Sequence, residues 1–315
     1  MKSIHPFMPF FSVIIPLYNK EKFVENTLKS VLSQTFSDFE IIIINDGSTD
    51  YSEQKVQQFQ DSRIRYYSKK NEGVSVARNL GISLAQSNYI TFIDADDYWY
   101  PDFLKTMFEN INRFPEQRVF AAAFEIETSK NVFPAQYSIQ KTKDCELVNY
   151  FNASSRESVI WTSCAVFHKN VFEKTGVFDV AIKSGQDTDL WIRIGLVYPV
   201  LFSWKILARY IFDAESLSKN KNYTTTKINF SKFSTLEKTN MDLKKFLDFN
   251  RFSLAIKSKL NGDNVNFNLF YKAIDLKNLT FKKRVLLLLP SFVLKKMIGL
   301  QQVLANLGLA HSVFK

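Results

Sequence analysis

Apolar and polar positions alternate in blocks along the first 130 residues, and the period of each block names the element it predicts. Phe11-Ser12-Val13-Ile14-Ile15 is a β-branched run that reads as a strand stopped by Pro16. Residues 20–34 carry Phe23, Leu28, Val31 and Leu32 at roughly helical spacing. Glu40-Ile41-Ile42-Ile43-Ile44 is apolar on both faces, as a central parallel strand should be, and it runs into the turn cluster Asn45-Asp46-Gly47-Ser48-Thr49-Asp50. A short strand at 63–67, a helix at about 74–86 and a strand at 89–93 follow. A helix over 101–113 then opens with Pro101, and Val119–Phe124 forms a further strand. Strands alternating with helices predict an α/β fold whose mostly parallel central sheet is covered by helices.

The middle is less regular. Trp161–Phe167 reads as a strand and Asn170–Lys174 as a short helix ended by Gly176. Leu190, Trp191, Ile194, Val197 and Tyr198 share one face of a helix beginning near Asp187. From Ser218 the texture turns polar and rich in Lys, Asn and Thr. The expected division is therefore a main α/β domain over 1–218 and a basic helical region over 219–315. Helical patches are expected at 233–260 and 291–307. In the second, Val293, Met297, Leu300, Leu304 and Leu307 form an apolar stripe beside Lys282, Lys283, Arg284, Lys295 and Lys296.

Charge sharpens that division. Residues 219–315 hold 18 Lys and Arg against 5 Asp and Glu, so the net charge of +10 comes from the tail and the first 218 residues are slightly acidic. A basic appendage suits an anionic partner, but the acidic main domain offers no groove for nucleic acid, and none is expected to bind. No apolar run approaches the roughly 20 residues needed to cross a bilayer, and no signal-peptide pattern opens the chain. Cys145 and Cys164 match no metal spacing and read as buried thiols of a reducing compartment. The expected location is cytoplasmic. Two fates of the tail stripe stay open: packing inside the protein or on another subunit, and peripheral contact through 280–310 with the inner face of the plasma membrane.

The chemistry gathers where strands end. Ile90-Thr91-Phe92-Ile93 gives way to Asp94-Ala95-Asp96-Asp97, three carboxylates within four residues. Like charges this close call for a cation, and oxygen-only ligands suit Mg²⁺ or Mn²⁺. Pro16, Tyr18 and Asp46 close two other strands, and Asn71-Glu72-Gly73 precedes a helix bearing Arg78. In a parallel sheet these ends converge on one edge. They bring a ring to stack on a base, a carboxylate for a base N–H, an Arg for phosphate and a metal site, the makings of a nucleotide-diphosphate pocket. No G-x-G-x-x-G follows the first strand and no P-loop occurs, so dinucleotide and P-loop readings lose support.

The series SVIIPLYNKEKFVENTLKSVLSQT, EIIIINDGSTD, NEGVSVARNLGI, YITFIDADD and KTGVFDVAIKSGQDTDLWIRI resembles a family 2 glycosyltransferase of GT-A fold over about residues 10–200. The resemblance implies inverting transfer of one sugar from a nucleotide-sugar donor, UDP favoured because Asp46 suits uracil, with Mg²⁺ or Mn²⁺ as cofactor. It implies a hydroxyl acceptor on a cell-envelope glycan or lipid-linked oligosaccharide precursor. Pro16, Tyr18, Asp46, Asn71 and Arg78 match its nucleotide-binding positions. Asp94 and Asp96 match its ribose and metal ligands, Asp97 being able to share that load. Asp187 matches its catalytic base, with Asp189 as a nearby rival. Gln186 stands where the family has Glu. Neither a membrane-spanning run nor a Gln-x-x-Arg-Trp motif of processive members is present, so single additions are expected. The competing reading is a non-catalytic nucleotide-sugar or nucleic-acid binding protein working through the basic tail.

Overall fold

In the computed structural model, residues 8–128, 131–211 and 230–297 are described. The chain forms two compact units, one of residues 1–153 and 157–228 and one of residues 154–156 and 229–315. The division expected at 218 falls outside the described residues.

The first unit is built on a ten-stranded sheet among the described residues. Its strands are β1 (Phe11–Leu17), β2 (Phe39–Asn45), β3 (Ile64–Ser68), β4 (Tyr89–Phe92), β5 (Tyr98–Trp99), β6 (Val119–Glu127), β7 (Val132–Pro134), β8 (Cys145–Val148), β9 (Ala165–His168) and β10 (Val200–Ile211). The helices are α1 (Val24–Leu32), α2 (Ser52–Gln57), α3 (Val74–Leu84), α4 (Phe103–Arg113), α5 (Tyr150–Ala153), α6 (Asn170–Thr175) and α7 (Gln186–Gly195). β3, β2, β1 and β4 lie side by side and parallel, so their carboxyl ends share one edge. β1 and β2 are buried along their whole length, which is why neither alternates.

Three details depart from the sequence pattern. β1 continues through Pro16 to Leu17. Its pairing with β4 has ended at Ile14, so at Pro16 only β2 remains to be bonded and the missing N–H is tolerated. Parallel pairing is confined to β3-β2-β1-β4 and to β6 with β10, whereas β9 runs antiparallel between β4 and β6. The strand expected over 161–167 is split, with a 3-10 turn at Thr162–Cys164 before β9. That turn sets Ser163 beside the carboxylates at the end of β4. Cys164 is buried as expected, but Cys145 is only partly so on β8.

The second unit contains α8 (Met241–Leu260), α9 (Asn264–Ala273) and α10 (Phe281–Leu288). Asn240, Asp263 and Thr280 cap their N-termini, each accepting a backbone N–H two to three residues into the helix. Phe252, Ile256, Phe270, Leu286, Leu287 and Leu294 form its core, with Met297 packed against it. Leu294 rather than Val293 thus points inward; Leu300, Leu304 and Leu307 lie outside the described residues. No described helix is long and apolar enough to cross a membrane.

Candidate active site

The loops that follow β1 and β2 are stitched together by side chains. Asn19, at φ 50°, donates its N–H to Ser48 Oγ at 3.1 Å and accepts the Thr49 N–H on Oδ1 at 2.8 Å. The Lys20 N–H reaches Ser52 Oγ at 2.7 Å. Gly47 has φ +73°, and a Cβ there would stand 2.8 Å from the Asn71 backbone nitrogen; only glycine lets the 45–50 turn approach the 69–73 loop. Beside this seam Tyr18 is exposed and Pro16 is buried in β1, and Asn71 is exposed on the facing loop.

Asp46 is buried and fastens that loop. Its Oδ1 accepts the Glu72 N–H at 3.0 Å and the Lys69 ammonium at 2.6 Å, and its Oδ2 accepts the Gly73 N–H at 2.7 Å. A carboxylate offers about four acceptor sites, so three are engaged within the protein. Asp46 therefore shapes the 69–73 loop.

Arg78, on α3, is 4% exposed. Its Nη2 donates to Asp94 Oδ1 at 2.6 Å, and its guanidinium lies over the Phe178 ring at 5.2 Å from the centroid. Its Nε and Nη1 are buried and meet no acceptor among the described residues. Asn79 holds the Phe178 segment in place by exchanging two hydrogen bonds with that residue's backbone, at 2.8 and 3.0 Å.

Asp94, Asp96 and Asp97 do not share one environment. Asp94 is partly exposed and faces Arg78. Asp96 meets the Lys20 ammonium at 2.5 Å. Burial holds the Asp96 carboxyl above the usual carboxylate range; Lys20 opposes this and Asp94 adds to it. Asp97 is turned into the protein, where its Oδ2 accepts the Ser163 hydroxyl at 2.6 Å and its Oδ1 the Ile211 N–H at 3.4 Å. It is thus engaged as a buried anchor.

Two residues that sequence reasoning passed over build this turn. Ser163 accepts the Asp94 N–H at 3.0 Å while donating to Asp97, and Thr27 Oγ1 sits 3.0 and 2.7 Å from the carbonyls of Ala95 and Asp97. The only signal for Ser163 was a polar Thr-Ser pair inside an apolar stretch.

Burial pushes the Asp97 carboxyl well above the usual range, with Asp96 and Asp94 adding to the shift. Folding then takes up a proton at this site. The stability it confers is complete below the unfolded value near 3.9 and is lost as pH rises toward the raised folded value. With chelator present, Asp97→Asn is expected to flatten the fall in melting temperature as pH rises above about 3.9, followed by circular dichroism. An unchanged slope in the variant would clear Asp97 as its source.

On the other side, Gly185 in the left-handed region (φ 84°) starts α7 and sets Gln186 and Asp187 in its first turn. Asp187 is half-buried, and its Oδ1 accepts the Thr188 N–H at 2.7 Å. Gln186 Oε1 is buried with no donor in reach among the described residues. Asp189 is fully buried and ion-paired with Arg193 Nε at 3.0 Å; Arg193 also donates to the carbonyls of Thr175 and Val177. Asp189 and Arg193 therefore form a latch that ties the helix to the Thr175–Val177 segment. His168 packs edge-on against Tyr89, a structural place.

Residues 12–176 match the family model described as Glycosyl transferase family 2. An uncharacterized glycosyltransferase of Rickettsia felis is 27% identical over 288 residues, 90% of this chain and 47% of that protein. The uncharacterized glycosyltransferase EpsJ of Bacillus subtilis is 32% identical over 192 residues, 58% of this chain and 54% of its own. The chain spans about half or less of the length of the first three Rickettsia relatives it matches. Among solved structures, S. aureus TarS 1–349 in complex with UDP-GlcNAc superposes with a TM-score of 0.65 at 19% identity, covering 85% of this chain and 82% of that one. That likeness is one of fold: a large sheet flanked by helices. With more than half of its residues matched by the family model, and the motifs of that stretch set along one sheet edge, the chain belongs to glycosyl transferase family 2.

Proposed function

We propose that this protein is an inverting, non-processive glycosyltransferase that moves one sugar from a UDP-sugar to a hydroxyl of a cell-envelope glycan or lipid-linked precursor, working at the cytoplasmic side of the membrane. The observation that carries it is Arg78, a buried guanidinium with two donor nitrogens that meet no acceptor among the described residues, fixed by Asp94 at the carboxyl end of β4. A buried cation in that state suits an anion of diphosphate geometry, which takes charge-assisted hydrogen bonds. The UDP-GlcNAc and UDP bound in TarS structures support a uridine diphosphate donor.

In this reading Tyr18 and Pro16 flank the base and Asn71 and Asp46 line it. Asp187 takes the proton of the acceptor hydroxyl as it attacks the anomeric carbon opposite the diphosphate, and a single attack gives inversion. Arg78 stabilises the charge that gathers on the leaving diphosphate. The donor set around Asp96 and Asp94 fits a hard divalent ion. It is all oxygen, Asp96 is raised by burial and by its neighbour, and the Lys20 ammonium already supplies a cation there. Mg²⁺ or Mn²⁺ held by Asp96 and Asp94 would add Lewis-acid stabilisation of the leaving group. Lys20 would then have to yield its place on Asp96.

The test is nucleoside diphosphate release across a panel of nucleotide sugars, together with calorimetry of UDP binding. UDP-sugars should be hydrolysed slowly without acceptor. Arg78→Met should weaken UDP about 10- to 100-fold, as loss of one or more charge-assisted bonds implies. Binding without any release would favour the non-catalytic reading, and neither binding nor release would sink both.

A further inference from the structure

The helix α10 has two faces with different fates. Leu286 and Leu287 are buried in the core of the second unit, whereas Phe281 (81% exposed), Val285 and Leu288 (71%) stand in the open. At about 100° per residue, the three exposed side chains fall on one narrow strip, with Lys282 on one flank and Arg284 on the other. Beyond Pro290, Phe292 (64%) is exposed as well, and Lys295 and Lys296 follow it. Lys283 is turned toward the core, its ammonium 4.5 Å from the Phe249 ring centre. No Asp or Glu occurs after Asp275. An exposed Phe and Leu on a helix whose other face is already satisfied, with a second exposed Phe just beyond Pro290, are more than scattered surface apolar residues need be.

We propose that this outer strip is a docking surface for an anionic lipid bilayer, with Phe281, Val285, Leu288 and Phe292 entering the headgroup region and Lys282, Arg284, Lys295 and Lys296 meeting lipid phosphates. The occupant is chosen by charge complementarity. A protein groove would need acidic groups to match an unrelieved basic flank, whereas an anionic membrane supplies them everywhere along its plane. The insertion face differs from the stripe that the heptad-like spacing of Val293 and Met297 picked out, because Leu294 and Met297 are used by the core. This deepens the membrane contact of the proposed function, and it stands or falls independently of the transfer chemistry.

The test is cosedimentation of the full chain with vesicles of phosphatidylcholine alone and of phosphatidylcholine with phosphatidylglycerol at 3:1. Donor hydrolysis and oligomeric state are measured on the same samples. The wild type should bind the anionic vesicles at least about tenfold more tightly than the neutral ones, and less tightly as salt is raised. Phe281→Ser/Leu288→Ser/Phe292→Ser should weaken that binding at least about tenfold with hydrolysis unchanged. Lys282→Gln/Lys295→Gln/Lys296→Gln should abolish the preference for anionic lipid. The proposal is overturned if the wild type ignores both vesicles, or if the apolar triple variant binds as well as the wild type. It is equally overturned if the wild type is a dimer that this variant dissociates, which would make a second copy the occupant. Loss of hydrolysis with vesicle binding intact would strike the proposed enzyme activity and leave the surface standing.

Discussion

Asp187→Asn is expected to lower transfer by about 10²–10⁴-fold while leaving UDP affinity unchanged within error. The substitution keeps size and hydrogen-bond reach and removes only the ability to take a proton. Asp187 sits in the first turn of α7, delivered there by the left-handed Gly185, and it is only half-buried. Its Oδ1 accepts the neighbouring Thr188 N–H at 2.7 Å, which leaves acceptor capacity on the carboxylate for an incoming hydroxyl. Asp189 supplies the contrast. Fully buried and locked to Arg193, it should on conversion to Asn loosen the latch to the Thr175–Val177 carbonyls and lower the melting temperature, without a selective loss of the chemical step. Single-turnover transfer and UDP calorimetry, run on both variants, separate the two roles. If Asp187→Asn kept more than about a hundredth of wild-type transfer, general-base catalysis by this residue would be untenable.

Asp96→Ala is expected to abolish the enhancement of UDP binding by Mn²⁺ together with most of the activity. UDP binding in chelator should change little. The reason is the division of labour among the three carboxylates: Asp97 is held by Ser163 and Ile211, Asp94 by Arg78, and Asp96 by a lysine side chain that can swing aside. Lysine carries its charge on a flexible stem, so its ammonium can be displaced at modest cost. Titrating UDP with and without Mn²⁺ decides the matter. A variant that retained the wild-type metal enhancement would show that the ligand is another group.

Much of this site could be read from residue order alone. The isoleucine run of β2 leaves no polar face, so it had to be an interior strand, and the motifs at its end and at the end of β4 had to fall on a common edge once the strands were parallel. The helix periods of α1, α3, α4 and α7 followed from which of their positions are apolar. Glycines at 176 and 185 marked two ends because only they tolerate the positive φ found there.

Other features depend on residues far apart in sequence, and no local pattern encodes them. That Asp189 is buried and locked while Asp187 is only half-buried depends on Arg193 reaching back to Thr175 and Val177. Which of the three β4 carboxylates is buried was decided by Ser163, which meets Asp97 across 66 positions. That Asp46 fastens the 69–73 loop depends on Gly47 allowing its backbone close to Asn71. In the tail, spacing showed that an apolar face existed, but only packing could assign it: Leu286, Leu287 and Leu294 go to the core, and Phe281 and Leu288 are left outside. A sequence determines the period of an element and the chemistry it carries. The side of it that meets water, protein or ligand is set by what the rest of the chain brings against it.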